Sequence, residues 1–263
     1  MDLGLKNKVA LVAASSRGLG RAVAWGLARE GTKLVICSRN KKVLEKTADE
    51  ILLQTGVTVF PLAMDLTNRK QIDWLMEETL DLFGRVDILI TNNGGPPAGR
   101  FEDIDENDWR SAVQTTLMSA VRLSKAVLPG MRKQKWGRII HLASITVKQP
   151  IPDLFLSNVL RPAVAALAKC QALDYARDNI LVNAVCPGYI MTERVHQMLK
   201  EREKETGRTS DEVLSDLVTD IPLERIGTPE ELANLVVFLA SEKAGYMTGG
   251  CILADGGLYK GMM

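Results

Sequence analysis

Aromatic residues are scarce in this chain of 263 residues, at 5%, and there are only two histidines. His141 lies in a strand-like run and His196 in a polar helical segment, so a His-centred metal site or a Ser-His triad lacks its residues. The four cysteines, at 37, 170, 186 and 251, sit in apolar surroundings without a CxxC pair. They read as buried thiols, and no metal is expected. Net charge is lacking as well: 33 Lys and Arg against 32 Asp and Glu leave +1, with no long basic run. That removes the electrostatic basis for binding nucleic acid or an anionic membrane. No apolar run reaches the roughly 18 residues of a membrane helix, and the opening MDLGLKNK has no apolar signal region. A soluble, cytoplasmic protein is the expectation. Pro-, Ser- or Gly-rich linkers are missing too, so 1–263 reads as one domain, with 46% hydrophobic residues to fill its core.

What the chain has instead is alternation. Short apolar runs, Val9–Ala14, Lys33–Ser38, Val57–Ala63, Val86–Thr91, Arg138–Ala143, Ile180–Val185 and Thr248–Ala254, read as strands buried on both faces. Between them lie helical patterns: one after Gly20 that closes at Gly31, then Val43–Leu53, Ile72–Phe83, the long stretch Glu106–Met131, Ser157–Tyr175 and Pro229–Ala240. In the long stretch Trp109, Val113, Leu117, Val121 and Leu128 share one side, and a second apolar face there would suit a partner subunit. This is the pattern of an α/β fold: a Rossmann-like, doubly wound sheet of about seven parallel strands with helices on both faces. The polar, helical segment Ile190–Pro222 interrupts the alternation and is a natural substrate lid. Its Met198, Leu199, Leu214 and Leu217 suggest an apolar portion in the substrate.

Strand, turn and helix in Lys8–Glu30 together make a phosphate site, because glycines let the backbone approach an anion and a helix start offers free N–H groups. The turn reads Ala14, Ser15, Ser16, Arg17, Gly18, Leu19, Gly20, with Ala where a third glycine is expected. Alone, it is equally compatible with plain βα packing. About one βα unit further on, where an acid would hold the ribose of NAD, the chain has Arg39. With Arg17 it suits the 2′-phosphate of NADP, and NADPH is expected over NADH; two solvated surface arginines are the alternative. Asp65, before Leu66, is placed either to accept the adenine amino group or to cap the helix near Asn68. Asn92, Asn93, Gly94 and Gly95 end the fourth strand and offer amides or merely a turn. Ser144 ends the fifth strand, in the crevice where open α/β sheets bind ligands.

In order, VALVAASSRGLG, TNNGG, Ser144, NAVCPGYIMTE and RIGTPEELANLVVFLASEKAGYMTGGCILADGG resemble the short-chain dehydrogenase/reductase superfamily over nearly the whole chain. The 3-oxoacyl-carrier-protein-reductase-like branch is the nearest in look. The resemblance implies NAD(P) along Ala14, Ser16–Gly20, Arg39, Asp65, Leu66, Asn93, Gly94, Pro187, Gly188, Ile190 and Thr192. It also implies a small carbonyl or alcohol substrate and a homo-oligomer, tetramer or dimer. The catalytic pattern departs from it. Where the superfamily has Tyr-x-x-x-Lys the chain has Ser157 and Arg161, the register being fixed by Leu167-Ala168-Lys169, and the helix Asn is Thr116. Only Ser144 is retained. Serine is shorter than tyrosine and far less acidic than a phenol of pKa about 10, so Ser157 needs a water as relay. Arg161 stays cationic, as a planar fork, but Pro162 disfavours helical geometry for it unless the helix begins there. Tyr189 reads as packing, Tyr175 as remote, and Lys148 and Asp153 as loop charges within reach of a substrate. Two functions follow: an NADP-dependent oxidoreductase using Ser144, Ser157 and Arg161, or a nucleotide-binding protein that has lost turnover and acts as a sensor or assembly subunit.

Overall fold

A computed structural model describes residues 1–262. The first half runs β1 (Val9–Ala13), α1 (Gly18–Arg29), β2 (Lys33–Ser38), α2 (Lys41–Thr55), β3 (Val59–Ala63), α3 (Arg69–Phe83) and β4 (Ile88–Thr91). Next come α4 (Glu106–Ala112), a π-helical turn (Val113–Met118), α5 (Ser119–Gln134), β5 (Gly137–Leu142), α6 (Phe155–Tyr175) and β6 (Ile180–Pro187). α7 (Glu193–Thr206), α8 (Ser210–Val218), α9 (Pro229–Ala240) and β7 (Cys251–Ala254) complete the order. All seven strands pair in parallel, in the order β3-β2-β1-β4-β5-β6-β7. The order reverses between β1 and β4, and there the crevice opens at the C-terminal strand ends.

The period-2 alternation of the strands sorts the core into two layers. Ala10, Val12, Leu34 and Ile36 face Val23, Leu27, Leu44 and Val236 of α1, α2 and α9. Leu11, Ala13, Val35 and Leu89 face Ile72, Leu123, Val127 and Ala165 of α3, α5 and α6. Each fully buried Leu, Ile or Val stabilises the fold by roughly 1.5–3 kcal/mol, which ties the sheet to both layers. Among the described residues no helix is long and apolar enough to cross a membrane.

Four expectations change. The stretch Glu106–Met131 is not one regular helix but is broken by the π turn, and its core side is Leu123, Val127, Leu128 and Met131. Of the side expected to be apolar only Leu128 is buried, and Trp109, Val113, Leu117 and Val121 are half-buried. The third, fourth and seventh strands begin later than their apolar runs. Asp87, for example, turns inward below β4, where its carboxylate accepts the Val9 N–H at 2.8 Å and pairs with Arg85. Pro162 does not start α6. The helix begins at Phe155 and continues through the proline, so Ser157 and Arg161 lie one turn apart on the same helix. Finally, Leu199 of the expected lid is 4% exposed and packs inside it, which withdraws it from any substrate.

Candidate active site

The phosphate turn is built by close backbone approach. Gly18 has φ +54° and Ala14 φ +49°, so both occupy the left-handed region, which costs an alanine about 1–2 kcal/mol. A side chain at Gly20 would strike the Ala14 carbonyl oxygen and come within 2.9 Å of Asn92 Nδ2. No side chain caps α1, so its first N–H groups face the crevice. Arg17 and Arg39 are exposed, and neither makes an ion pair among the described residues. An uncapped helix start beside two free guanidiniums fits a dinucleotide with an extra phosphate. The Thr192 side chain, at the start of α7, lies 3.5 Å from the place of a Gly18 Cβ, and the Glu193 carboxylate lies 3.7 Å from it. A phosphate here therefore requires that carboxylate to turn outward.

The other expected coenzyme residues divide. Asp65 is not the cap of α3, which is Asn68; its Oδ1 accepts the Thr67 N–H at 2.9 Å and hydroxyl at 2.8 Å, and Oδ2 makes no hydrogen bond among the described residues. The Leu66 side chain is buried in the core, leaving only its backbone for a ligand. Asn93 Oδ1 accepts from Arg161 Nη2 at 3.2 Å, and Gly94 lies open. The Ser16 carbonyl accepts the Thr47 hydroxyl at 3.3 Å. Gly188 donates to the Ala254 carbonyl at 3.0 Å and closely approaches Asp255. Pro187 is the last residue of β6, and Ile190 is 7% exposed with its side chain against Gly227.

Thr146 links Ser144 to the backbone of Ser157. The Thr146 N–H donates to Ser144 Oγ at 3.1 Å, and its hydroxyl donates to the Ser157 carbonyl at 3.3 Å. One helical turn on, Arg161 is 7% exposed and donates from Nη1 to the Leu142 carbonyl at 3.0 Å. Burial, then the nearby Arg194 charge, lower its pKa to about 10. Arg194 itself, in the first turn of α7, donates to the Pro96 carbonyl at 3.1 Å. Tyr189 packs on Ile145 and Ile221, and desolvation raises its pKa, so it is a poor candidate for activation as a phenolate. Asp153 pairs with Arg100 at 3.2 Å, whereas Lys148 is half-buried and makes no ion pair among the described residues. Tyr175 is the last residue of α6, at its far end.

Two openings flank this cluster. Asn158 clamps Ile151 through two hydrogen bonds, and Gly99 pairs with Leu154, so the loops after β4 and β5 enclose a groove of about 320 Å³ that includes Phe101 and Phe155. An Ile190–Gly227 bridge anchors the start of the segment 190–222, and Met191, Leu214 and Val218 line a second cavity of about 470 Å³.

Residues 13–259 match the family model described as enoyl-(acyl carrier protein) reductase. The 3-oxoacyl-(acyl-carrier-protein) reductase of Aquifex aeolicus is 32% identical, over 98% of this chain and 100% of its own. The chain belongs to the short-chain dehydrogenase/reductase superfamily. Bacillus subtilis BacG, an NADPH-dependent reductase, is 30% identical over 97% of this chain and 99% of its own. L-sorbose reductase from Gluconobacter frateurii, solved with NADPH and L-sorbose, superposes with a TM-score of 0.97 at 35% identity, covering 100% of both chains. The superfamily model's description concerns an enoyl group and the relatives' names a ketone, so membership does not choose the bond reduced.

Against the superfamily pattern the departures now have surroundings. Thr116, which the resemblance puts at the Asn position, is 1% exposed inside the π turn, and its hydroxyl has no hydrogen-bond partner among the described residues. π-helical turns recur at functional sites. Sequence reasoning missed Thr146, which couples Ser144 to Ser157, and Arg194. The first carries no spacing signal. The second stands two residues past Thr192, and only the folding of α7 over Gly95 brings it to the site.

Proposed function

We propose that this superfamily member is an NADP-dependent oxidoreductase that interconverts a carbonyl and an alcohol, with NADPH preferred over NADH. The observation that carries it is the pair of free arginines, Arg17 and Arg39, beside the uncapped start of α1. The NADPH-bound relatives support the same coenzyme. The coenzyme would lie along Ala14–Gly20, Arg39, Asp65, Asn93 and Thr192. When bound, it supplies the hydride.

The chain's own groups do the rest. Ser144 Oγ, already accepting the Thr146 N–H, keeps its proton free to hydrogen-bond the substrate oxygen. Arg161, buried beneath it, favours negative charge at that oxygen and donates toward a ribose hydroxyl. Ser157, too weak an acid to serve alone, passes the proton through a water. The segment 190–222 closes over the substrate within one domain, 1–263. Val159 and Leu173, exposed on α6, support a homo-oligomer through that face.

The loss of Tyr, Lys and Asn favours a second reading, a nucleotide-binding protein without turnover. Fluorescence titration with NADPH and NADH, followed by a carbonyl panel, separates the two. Under the proposal NADPH binds at least about tenfold tighter than NADH, and Arg17→Ala and Arg39→Ala each weaken NADPH by about tenfold or more while NADH hardly changes. Equal binding of both coenzymes sinks the coenzyme assignment; tight NADPH binding without turnover of any carbonyl selects the second reading.

A further inference from the structure

We propose that Arg194, with Arg161 and Lys148 behind it, selects a substrate whose carbonyl lies next to a carboxylate: a 2- or 3-oxo acid or the matching hydroxy acid. The inference rests on the oxidoreductase reading and names its substrate class.

Arg17 and Arg39 are free at the coenzyme end and the buried Arg138 donates to backbone carbonyls, but several other guanidiniums are matched to carboxylates, as in Arg21–Glu50, Arg85–Asp87, Arg132–Asp178, Arg208–Asp216 and Arg225–Glu231. Around Ser144 they are not. Arg161 is buried, yet its bonds go to the neutral Leu142 carbonyl and Asn93 amide oxygens. Arg194 donates to the neutral Pro96 carbonyl, and Gly95 leaves the space its guanidinium fills. Both arginines thus grip one short loop, Asn93–Pro96, and each repels the other. Lys148, in the loop after Ser144, is half-buried and makes no ion pair among the described residues. A buried cation facing a second cation is unfavourable until an anion arrives.

The coenzyme's phosphates belong elsewhere. Its pyrophosphate suits the start of α1 and its extra phosphate suits Arg17 and Arg39, whereas the nicotinamide end beside Ser144 carries no phosphate. The anion must therefore come with the substrate, and a planar carboxylate matches the guanidinium fork of Arg194. The carbonyl sits at Ser144, so the two groups are separated by few bonds. Reduction adds a hydride from the reduced coenzyme to the carbonyl carbon and a proton to its oxygen, and leaves the carboxylate unchanged.

Calorimetry on the full chain saturated with NADP⁺ tests this with pyruvate, acetoacetate, their methyl esters and dihydroxyacetone phosphate. At least one acid should bind about tenfold tighter than its ester. Arg194→Met should remove that advantage and leave NADP⁺ affinity within about twofold, while Arg194→Lys should retain part of it. Equal binding of acids and esters, binding of neither, or tighter binding of dihydroxyacetone phosphate overturns the proposal. So does an Arg194→Met protein whose NADP⁺ affinity falls as far as its acid affinity. If NADP⁺ fails to bind but an acid binds the free protein through Arg194, the coenzyme reading falls and the anion site stands.

Discussion

The two ends of the crevice have kept different things. At the β1–α1 end the features that fit a dinucleotide are backbone features: close approach at Gly20, a left-handed turn at Ala14 and Gly18, and an uncapped helix start. At the β5–α6 end the superfamily pattern is carried by side chains, and the proposed alignment puts Thr116, Ser157 and Arg161 at three of its four positions. Backbone geometry tolerates few substitutions, because a single Cβ closes it. A side-chain constellation can be rebuilt with different groups if the charge is still supplied; Arg161 is a buried guanidinium bonded to the Leu142 carbonyl, and under the proposal it takes the place of an ammonium. Under the proposal, coenzyme binding and proton transfer are therefore separable in this chain.

The largest effect is expected at the backbone end. In Gly20→Ala the new methyl meets the Ala14 carbonyl and the Asn92 amide, so the turn must open. NADPH affinity should fall by about a hundredfold or more, with a stability loss of about 1–3 kcal/mol. Near-normal NADPH binding by this variant would mean that the coenzyme does not use the turn. Arg161→Ala attacks the other end. It removes the charge beneath the substrate oxygen, and kcat/KM should drop by about a hundred- to a thousandfold, the range seen when one oxyanion donor is lost. The NADPH dissociation constant should change by less than about tenfold. If both quantities fell together, the two ends would not be separable.

How much of this was legible in the chain depends on what each feature needs. The sheet and the Rossmann-like class follow from apolar runs alternating with helical patterns, because burial on both faces leaves no other residues on a strand; the strand order came from the structure. Asp65 was half-legible: an acid at a strand end was evident, but Asn68 is the cap of α3 and Asp65 bonds Thr67. The apolar side of the long helix was misjudged because the π turn adds a residue and rotates everything after it. Pro162 suggested a helix start, yet the helix absorbs it seven residues in. Thr146 and Arg194 left no mark at all. Both reach the site through tertiary contacts of loops, which no periodicity encodes.

The smallest expected effect tests the joint between the two ends. His141 on β5 lies between Thr91 of β4, just before Asn92 and Asn93, and Gln171 of α6. Its Nε2–H donates to Gln171 Oε1 at 2.9 Å, which leaves Nδ1 to accept the Thr91 hydroxyl at 2.7 Å. This neutral ring is fully buried, and desolvation lowers its pKa from 6.5 to about 4. Between those values the unfolded chain takes up a proton that the folded chain refuses. The contribution of His141 is therefore fully present above about pH 6.5 and is lost progressively as pH falls toward about 4, at up to about 1.4 kcal/mol per unit. Urea denaturation of wild type and His141→Gln at pH 7.5 and pH 5 isolates this term. Between the two pH values wild type should lose about 2 kcal/mol more stability than the variant. With the ring charged, the Thr91 contact loses its acceptor first, so NADPH affinity should weaken in acid before the protein unfolds. Parallel losses in wild type and variant would mean that His141 titrates alike in both states and does not join the two ends.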